Sequence, residues 1–221
     1  MSRKRRVWYP GATYHVMSRG NRRTVLFKDT SDYMRFLECI ALSRKQYGFR
    51  IHSMCLMTNH FHIAIETDRT ELWKIMQKIL HPYSMDFNHK YHFSGHLFES
   101  RYTACLIEDE RYFLEVSRYI HLNPVKAMMV LEPIAYKYSS YGLYIPHHKS
   151  SNNNGKAHLI MSHDYTLNKR ISEITETSRI LSLFQSKSKQ KYRLFVEDQL
   201  SHEAAENRIR NEIKEDEMWM P

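Results

Sequence analysis

Glycine, proline and cysteine are all scarce in this chain of 221 residues. The six glycines and six prolines make up about 5% of the residues, against roughly 12% in typical proteins. This scarcity disfavours a turn-rich β-sandwich, a collagen-like chain and a low-complexity chain. The three cysteines are scattered and form no Cys-x-x-Cys pair, which is typical of a protein kept in a reducing compartment.

Long apolar runs are absent as well. No segment approaches the roughly eighteen consecutive apolar residues that a membrane-spanning helix needs. The N-terminal Met-Ser-Arg-Lys-Arg-Arg is not followed by the apolar stretch that a secretory signal requires. We therefore expect a cytoplasmic protein with no membrane partner.

Positive charge is concentrated at the N-terminal end. The net charge is +9, and residues 1–28 contain eight basic residues and no acidic residue. Aromatic rings interleave with these cations at Trp8, Tyr9, Tyr14 and His15, a combination that suits phosphate contacts and stacking on unpaired bases. The alternative is a basic arm that only aids solubility. We predict a nucleic-acid partner, bound through Arg3, Lys4, Arg5, Arg6, Arg19, Arg22 and Arg23.

The hydrophobic content of 42% and the aromatic content of 13% predict a folded chain rather than a disordered one. Alternating and helical patterns predict seven elements in the order β-α-β-β-α-β-α. The first six are those of a ferredoxin-like split βαβ sheet, so we predict an α+β fold with one added helix. The predicted strands span 12–18, 49–57, 61–67 and 102–107, and the predicted helices span 29–47, 70–91 and 109–123.

Two prolines and one polar stretch set the predicted boundaries. Pro82 predicts a kink or break in the second helix, and Pro124 predicts that the third helix ends just before it. The polar residues 146–157 predict a linker. This linker would separate a domain over residues 1–145 from a mostly helical, charge-balanced extension over residues 158–221.

The triplet His60-Phe61-His62 is a candidate metal site. In a strand, side chains two positions apart lie on the same face, so both imidazoles point one way while Phe61 points into the opposite layer. Two neutral imidazoles side by side can bind one divalent ion. The alternative is coincidence, since the chain contains 14 histidines.

A stripe on the third predicted helix supplies two further candidates. Positions 112, 116, 119 and 123 fall on one face, and Tyr119 and Asn123 lie one turn apart. The amide oxygen of Asn123 could be a third ligand for Mg²⁺ or Mn²⁺, and the phenol of Tyr119 could be a nucleophile. The alternative is a tyrosine that faces the sheet, with Asn123 capping the helix end.

Three ordered motifs carry a resemblance to a known family. The chain resembles the REP-associated tyrosine transposases, which belong to the single-tyrosine HUH superfamily together with the transposases of small single-stranded insertion sequences. The resemblance covers roughly residues 7–145. The motifs are Tyr-His-Val-Met-Ser-Arg-Gly-Asn-Arg-Arg at 14–23, Met-Thr-Asn-His-Phe-His at 57–62 and Arg-Tyr-Ile-His-Leu-Asn-Pro-Val-Lys-Ala at 118–127.

This resemblance implies a role for each candidate residue. His60 and His62 would bind the divalent metal, Mg²⁺ or Mn²⁺, and Tyr119 would be the nucleophile. Asn123 would be the third ligand, at a step where insertion-sequence relatives tend to carry Gln. Thr58 stands where the family usually has Pro, which affects the rigidity of the turn and not the chemistry.

The implied function is metal-dependent nicking and strand transfer of single-stranded or hairpin DNA through a 5′-phosphotyrosine intermediate. One alternative is a hairpin-binding module, derived from a transposase, that no longer cuts. Another is a metallonuclease in which water attacks and Tyr119 is structural. The sequence leaves open whether the protein is a monomer or a homodimer, and whether one chain or two complete the active site.

Overall fold

The computed structural model describes residues 7–146 and 165–200. The strands are β1 (Thr13–Arg19), β2 (Arg50–Leu56), β3 (His60–Glu66) and β4 (Thr103–Ile107). The helices are α1 (Thr30–Tyr47), α2 (Leu72–Tyr91), α3 (Glu110–Lys126), α4 (Tyr165–Ile174) and α5 (Ser178–Ser182). Residues 188–200 are also helical, and this segment is called α6 below. None of the described helices has the length and apolarity needed to cross a membrane.

The four strands form one antiparallel sheet in the order β2-β3-β1-β4. With α1 following β1 and α2 following β3, this is the arrangement of a ferredoxin-like split βαβ unit. The predicted fold class is therefore confirmed, and the predicted strands agree with the observed ones to within about one residue.

One face of the sheet packs against α1 and α2 through apolar side chains. Phe61, Ile63 and Ile65 alternate along β3 and are at most 1% exposed on this face. Helix α1 begins at a capping box in which Asp29 accepts from the Asp32 amide and the Asp32 side chain accepts in return. The α1 and α2 layer therefore supports the face of the sheet opposite to α3.

The opposite face of the sheet is covered by α3. The helix buries Phe113, Val116 and Ile120 against Ala64 and Ile107. Asp109 caps its first turn by accepting from the amide of residue 112. The two imidazoles of β3 lie on this same face, and therefore beside α3.

The prediction that α3 ends before Pro124 is wrong. The helix continues to Lys126, because the carbonyls of Asn123 and Pro124 accept from the amides of Ala127 and Met129 at 2.9 Å each. Proline removes a donor but leaves its own carbonyl free to accept, so the last turn still closes.

The second helix is not broken at Pro82 either. Helix α2 runs without interruption from Leu72 to Tyr91 with Pro82 inside it. Ile79 and Tyr83 on either side are 0% and 1% exposed, and burial of such side chains offsets the loss of one backbone hydrogen bond.

The C-terminal residues pack on both faces of the sheet. Leu167 and Ile171 of α4 join the core beneath α1, and Tyr192 and Val196 of α6 join the core beneath α3. Between them the amide of Glu176 donates to a carbonyl of β2 at 2.8 Å. The predicted 146–157 linker lies outside the described residues, apart from residue 146.

Candidate active site

The candidate site lies where β3 begins and β1 ends. Strand pairing places Arg19 opposite His60 and Met17 opposite His62. Both imidazoles therefore lie on the face covered by α3, while Phe61 is buried in the opposite layer against Phe36. The two imidazole rings are 5.1 Å apart, centroid to centroid, and nearly perpendicular.

The hydrogen bonds of His60 orient its ring. Its Nδ1 lies 2.7 Å from Oδ1 of Asn59, whose own amide nitrogen donates to the carbonyl of Arg23 at 3.4 Å. Because an amide oxygen only accepts, Nδ1 carries the proton and Nε2 carries a lone pair. That Nε2 lies 3.4 Å from Oδ1 of Asn123, so two acceptor atoms face each other. Desolvation by burial lowers the pKa of His60, which keeps this lone pair available at neutral pH.

The second imidazole, His62, is held by a residue that the sequence analysis did not assign to the site. Its Nδ1 lies 3.0 Å from Nε2 of His15 on the neighbouring strand. Burial lowers the pKa of His62 to about 3 and that of His15 to about 4, so both rings are neutral at pH 7. With a proton on His62 Nδ1, its Nε2 carries a lone pair. Hydrogen-bond partners such as His15 impose this arrangement on metal-binding histidines.

Strand alternation places His15 on the same face of β1 as Met17 and Arg19. Its place beside His62 depends in addition on the pairing of β1 with β3. The sequence analysis instead grouped His15 with Tyr14 as rings that stack on bases. That interpretation is wrong for both, because they are 8% and 2% exposed.

Tyr119 lies beside the histidines in the same chain. Its ring centroid is 5.4 Å from that of His62 and 5.8 Å from that of His15, and it is nearly perpendicular to the His62 ring. The side chain is 42% exposed. A phenol so placed is open to solvent on one side and borders the imidazoles on the other, and a single chain brings the whole set together.

The donor set fits a divalent cation. Two imidazole nitrogens and one amide oxygen carry lone pairs in neighbouring side chains, and imidazole with carbonyl oxygen is a combination that divalent ions accept. Within residues 7–146 and 165–200, no group of three or more His, Cys, Asp and Glu side chains is arranged to hold a metal ion. A metal at this site would therefore need the amide of Asn123 as well as the histidines.

The residues predicted to share one face of α3, at positions 112, 116, 119 and 123, differ in their exposure. Val116 is 4% exposed and packs in the core, whereas Tyr112 is 40% exposed one turn before it. Tyr112 thus has the exposure of Tyr119 without its histidine neighbours.

A short segment next to His60 carries three of the arginines that are predicted to bind nucleic acid. Arg19 ends β1, and Arg22 and Arg23 are exposed in a tight turn in which both adopt left-handed backbone, with φ of 50° and 61°. Left-handed residues other than glycine cost about 1 kcal/mol each, and such strain is found at ligand sites. The turn needs Gly20, because a Cβ there would lie 2.0 Å from the carbonyl oxygen of Thr24. Arg3, Lys4, Arg5 and Arg6 lie outside the described residues.

Backbone hydrogen bonds fasten this turn to the start of β3. The amide of Gly20 donates to the carbonyl of Asn59 at 2.9 Å, and the amide of Leu26 donates to that of Thr58 at 2.8 Å. The backbone that carries the three exposed arginines is therefore held next to His60.

Comparisons with known proteins concern the family and the fold of the chain. A family model described as "Transposase IS200 like" matches residues 9–123, about half of the chain. Among solved structures, a REP-associated tyrosine transposase bound to a REP hairpin aligns with a TM-score of 0.57 and 19% identity, over 65% of this chain and 84% of that chain. A transposase structure from Deinococcus radiodurans aligns with a TM-score of 0.37 and 14% identity, over 54% of this chain and 95% of that chain. A search of curated proteins gives no significant match.

Proposed function

Because the chain belongs to the IS200-like transposase family, we propose that it nicks and rejoins single-stranded DNA with Tyr119 as the nucleophile. The observation that supports this best is the position of the Tyr119 ring, 5.4 Å from that of His62, next to the facing lone pairs of His60 and Asn123. The resemblance stated above for the three sequence motifs agrees with these roles.

His60, His62 and Asn123 would hold the divalent metal, Mg²⁺ or Mn²⁺. When bound, the metal neutralises charge that develops on the oxygens of the scissile phosphate. His15 and Asn59 keep the two imidazoles in the tautomers that leave a lone pair for the ion. Burial of the histidines ensures that protons do not compete for these nitrogens at neutral pH.

The reaction is a transfer of the phosphoryl group to Tyr119. A bond forms between the Tyr119 oxygen and phosphorus, and the bond from phosphorus to the 3′-oxygen breaks. The electron pair of that bond stays with the leaving oxygen, which takes a proton from water and becomes a 3′-hydroxyl, while the phenol proton passes to water. The resulting 5′-phosphotyrosine keeps an ester bond, so a 3′-hydroxyl can reverse the step without ATP.

Single-stranded or hairpin DNA is the substrate proposed here. The exposed cations Arg19, Arg22 and Arg23 adjoin the site, and phosphate contacts by Arg supply much of the affinity of nucleic-acid binding. The solved transposase of similar fold is bound to a REP hairpin, which makes hairpin oligonucleotides the first substrates to try. Tyr119 is 42% exposed, which leaves the phenol open to an unpaired strand.

The test is the formation of a covalent adduct. The protein is incubated with a labelled hairpin that carries a single-stranded flank and with Mg²⁺ or Mn²⁺, and is then run on a denaturing gel. We expect a protein–DNA band that requires the metal and disappears in Tyr119→Phe. The matched control is Tyr112→Phe, which removes a phenol of similar exposure (40% against 42%) from the same helix and should leave the band intact.

Two other outcomes would replace this proposal. Cleavage that survives in Tyr119→Phe, with no protein bound to the products, would mean that water attacks. Tight hairpin binding without cleavage under either metal, and with unchanged affinity in His60→Ala, would mean that the protein binds hairpins and does not cut them.

A further inference from the structure

The histidine of α3, His121, lies two positions after Tyr119 and points into the protein. It is 0% exposed. Its Nδ1 lies 2.7 Å from the hydroxyl of Tyr192 in α6, and its Nε2 lies 2.9 Å from the hydroxyl of Ser140. The imidazole therefore joins the helix that carries Tyr119 to two other parts of the chain.

The hydrogen bonds around His121 form one continuous chain. Ser140 Oγ lies 2.9 Å from His121 Nε2 and accepts from the amide of Met54 at 2.9 Å. Tyr192 Oη lies 2.7 Å from His121 Nδ1 and 3.1 Å from Ser117 Oγ, and the Ser117 hydroxyl donates to the Leu114 carbonyl at 2.8 Å. A neutral imidazole has one donor and one acceptor, so one nitrogen of His121 donates within this chain and the other accepts.

This chain leaves none of its own protons unused. It begins at a backbone amide of β2 and ends at a backbone carbonyl of α3, so it fixes the rotation of α3 relative to the sheet. Buried polar networks that are fully satisfied make a structure rigid.

Helix α6 also contacts Arg118, the residue that precedes Tyr119. The guanidinium of Arg118 lies 4.4 Å from the centre of the Phe195 ring, and its Nη1 donates to the Phe195 carbonyl at 3.4 Å. Arg118, one position before Tyr119, and His121, two positions after it, thus both contact α6. The Tyr119 ring itself lies beside His15 and His62 and is 42% exposed.

We propose that Tyr192 and Ser140 act through His121 as positioning residues for Tyr119, so that α6 is part of the catalytic unit. A group at the surface of a helix stands about 6 Å from the axis, so a rotation of roughly 10° moves it by about 1 Å. A misplacement of about 1 Å costs on the order of 10²-fold in rate. This inference rests on the proposed function, since it assigns Tyr119 the reaction described above.

The test uses two variants of the full chain. Tyr192→Phe removes the hydroxyl that is hydrogen-bonded to His121 and keeps the ring packed. The matched control, Tyr144→Phe, removes another buried hydroxyl of the same aromatic cluster, which donates to the carbonyl of His52 and does not bond to α3. Urea unfolding of both variants shows whether they lose similar stability.

Two measurements separate positioning from stability. The first is the single-turnover rate of adduct formation, which we expect to fall by roughly 10-fold or more in Tyr192→Phe with hairpin affinity unchanged. The second is the ¹⁹F resonance of 3-fluorotyrosine at position 119, recorded without DNA. Ring currents of His15 and His62 make this resonance sensitive to the position of the phenol, and we expect it to shift in Tyr192→Phe but not in Tyr144→Phe.

Each result decides one of the two proposals. An unshifted resonance in Tyr192→Phe, or equal rate losses in the two variants, would overturn the positioning role. A wild-type protein that forms no adduct would overturn the proposed function, while the fluorine resonance would still decide whether the Tyr192 hydroxyl positions Tyr119.

Discussion

Within the residues that the structure describes, the polar cluster of His15, His60 and His62 and the polar cluster around His121 lie on either side of α3, and they differ in how completely their hydrogen bonds are satisfied. In the cluster of His15, His60 and His62, a lone pair of His60 faces the oxygen of Asn123 rather than a donor. In the cluster of His121, every proton has an acceptor from the amide of Met54 onward. Both clusters are at least partly buried and both contain a tyrosine.

Because of this difference, the first cluster can bind a cation, whereas the second can only fix the position of α3. Two acceptors that face each other in a partly buried site cost free energy unless a cation lies between them. The network around His121 offers no lone pair to a ligand, because both nitrogens of the imidazole are already hydrogen-bonded. Tyr119 is 42% exposed beside the first cluster, whereas Tyr192 is 0% exposed within the second.

The largest expected effect is on catalysis by the open cluster. His60→Ala removes a proposed metal ligand, and we expect the rate of adduct formation to fall by about 10³-fold, in line with the loss of transition-state stabilisation by a metal. The free energy of unfolding should change by less than about 1 kcal/mol, because His60 is only half-buried. Single-turnover kinetics and urea unfolding measure the two quantities.

An exposed histidine elsewhere supplies the control for this variant. His89 lies on the surface of α2, and His89→Ala should match the wild type in both measurements. If His60→Ala retained more than a tenth of the wild-type rate, the assignment of the open cluster as the metal site would be wrong.

The next effect is on stability, through the closed cluster. His121→Ala removes a fully buried ring and leaves the hydroxyls of Tyr192 and Ser140 without their partner. We expect the free energy of unfolding to fall by about 3 kcal/mol, measured by urea titration against His60→Ala. A loss of less than about 1 kcal/mol would contradict the view that this network holds α3.

Much of the fold could be predicted from local patterns. Alternation in β1 and β3 and the helical spacing of α1 and α3 are signals that depend only on neighbours in sequence, and they were sufficient for the sheet. The end of α3 could not be predicted from Pro124 alone, because the hydrogen bonds that extend the helix involve Ala127 and Met129 beyond the proline.

The candidate site divides in the same way. His60, His62, Tyr119 and Asn123 could be proposed from spacing and family motifs, since each pair lies within one strand or one helix turn. The role of His15 depends on the register of two strands distant in sequence, and the difference between His62 and His121 depends on which side chains surround each. Neither property is visible in a one-dimensional pattern.

A smaller effect is expected for the residue that supports the open cluster. His15→Ala removes the hydrogen-bond partner of His62 Nδ1. Loss of a partner that orients a metal-binding histidine weakens metal affinity by roughly 10- to 100-fold. Titration of adduct formation with Mn²⁺ measures the apparent affinity. His15→Gln, which keeps an acceptor oxygen, should recover part of it; equal Mn²⁺ affinity in the wild type and in His15→Ala would show that His15 does not orient the ligand.

The smallest effect concerns a third polar cluster, at the far end of β3. Glu66 accepts from His52 at 2.8 Å, from Arg50 at 2.7 Å and from Arg179 at 2.7 Å, and His52 also contacts the carbonyl of Glu176. These partners, His52 first, lower the pKa of Glu66 from 4.5 to about 2. This cluster joins Glu66 to two cations, and it lies at the opposite end of β3 from His60.

Because the pKa of Glu66 is depressed in the folded state, its contribution to stability is complete above about pH 4.5 and is lost as the pH falls toward 2. We expect Glu66→Gln to lower the free energy of unfolding by about 1 kcal/mol at pH 7, since Arg50 and Arg179 are partly exposed and screened. The difference from the wild type should begin to shrink below about pH 4.5 and be nearly absent at pH 2. Glu173→Gln, which breaks an exposed pair with Arg170, is the control. Adduct formation at pH 7 should be unchanged in Glu66→Gln, because the ion pairs of Glu66 lie at the opposite end of β3 from His60. A large loss of rate would contradict a purely structural role for Glu66.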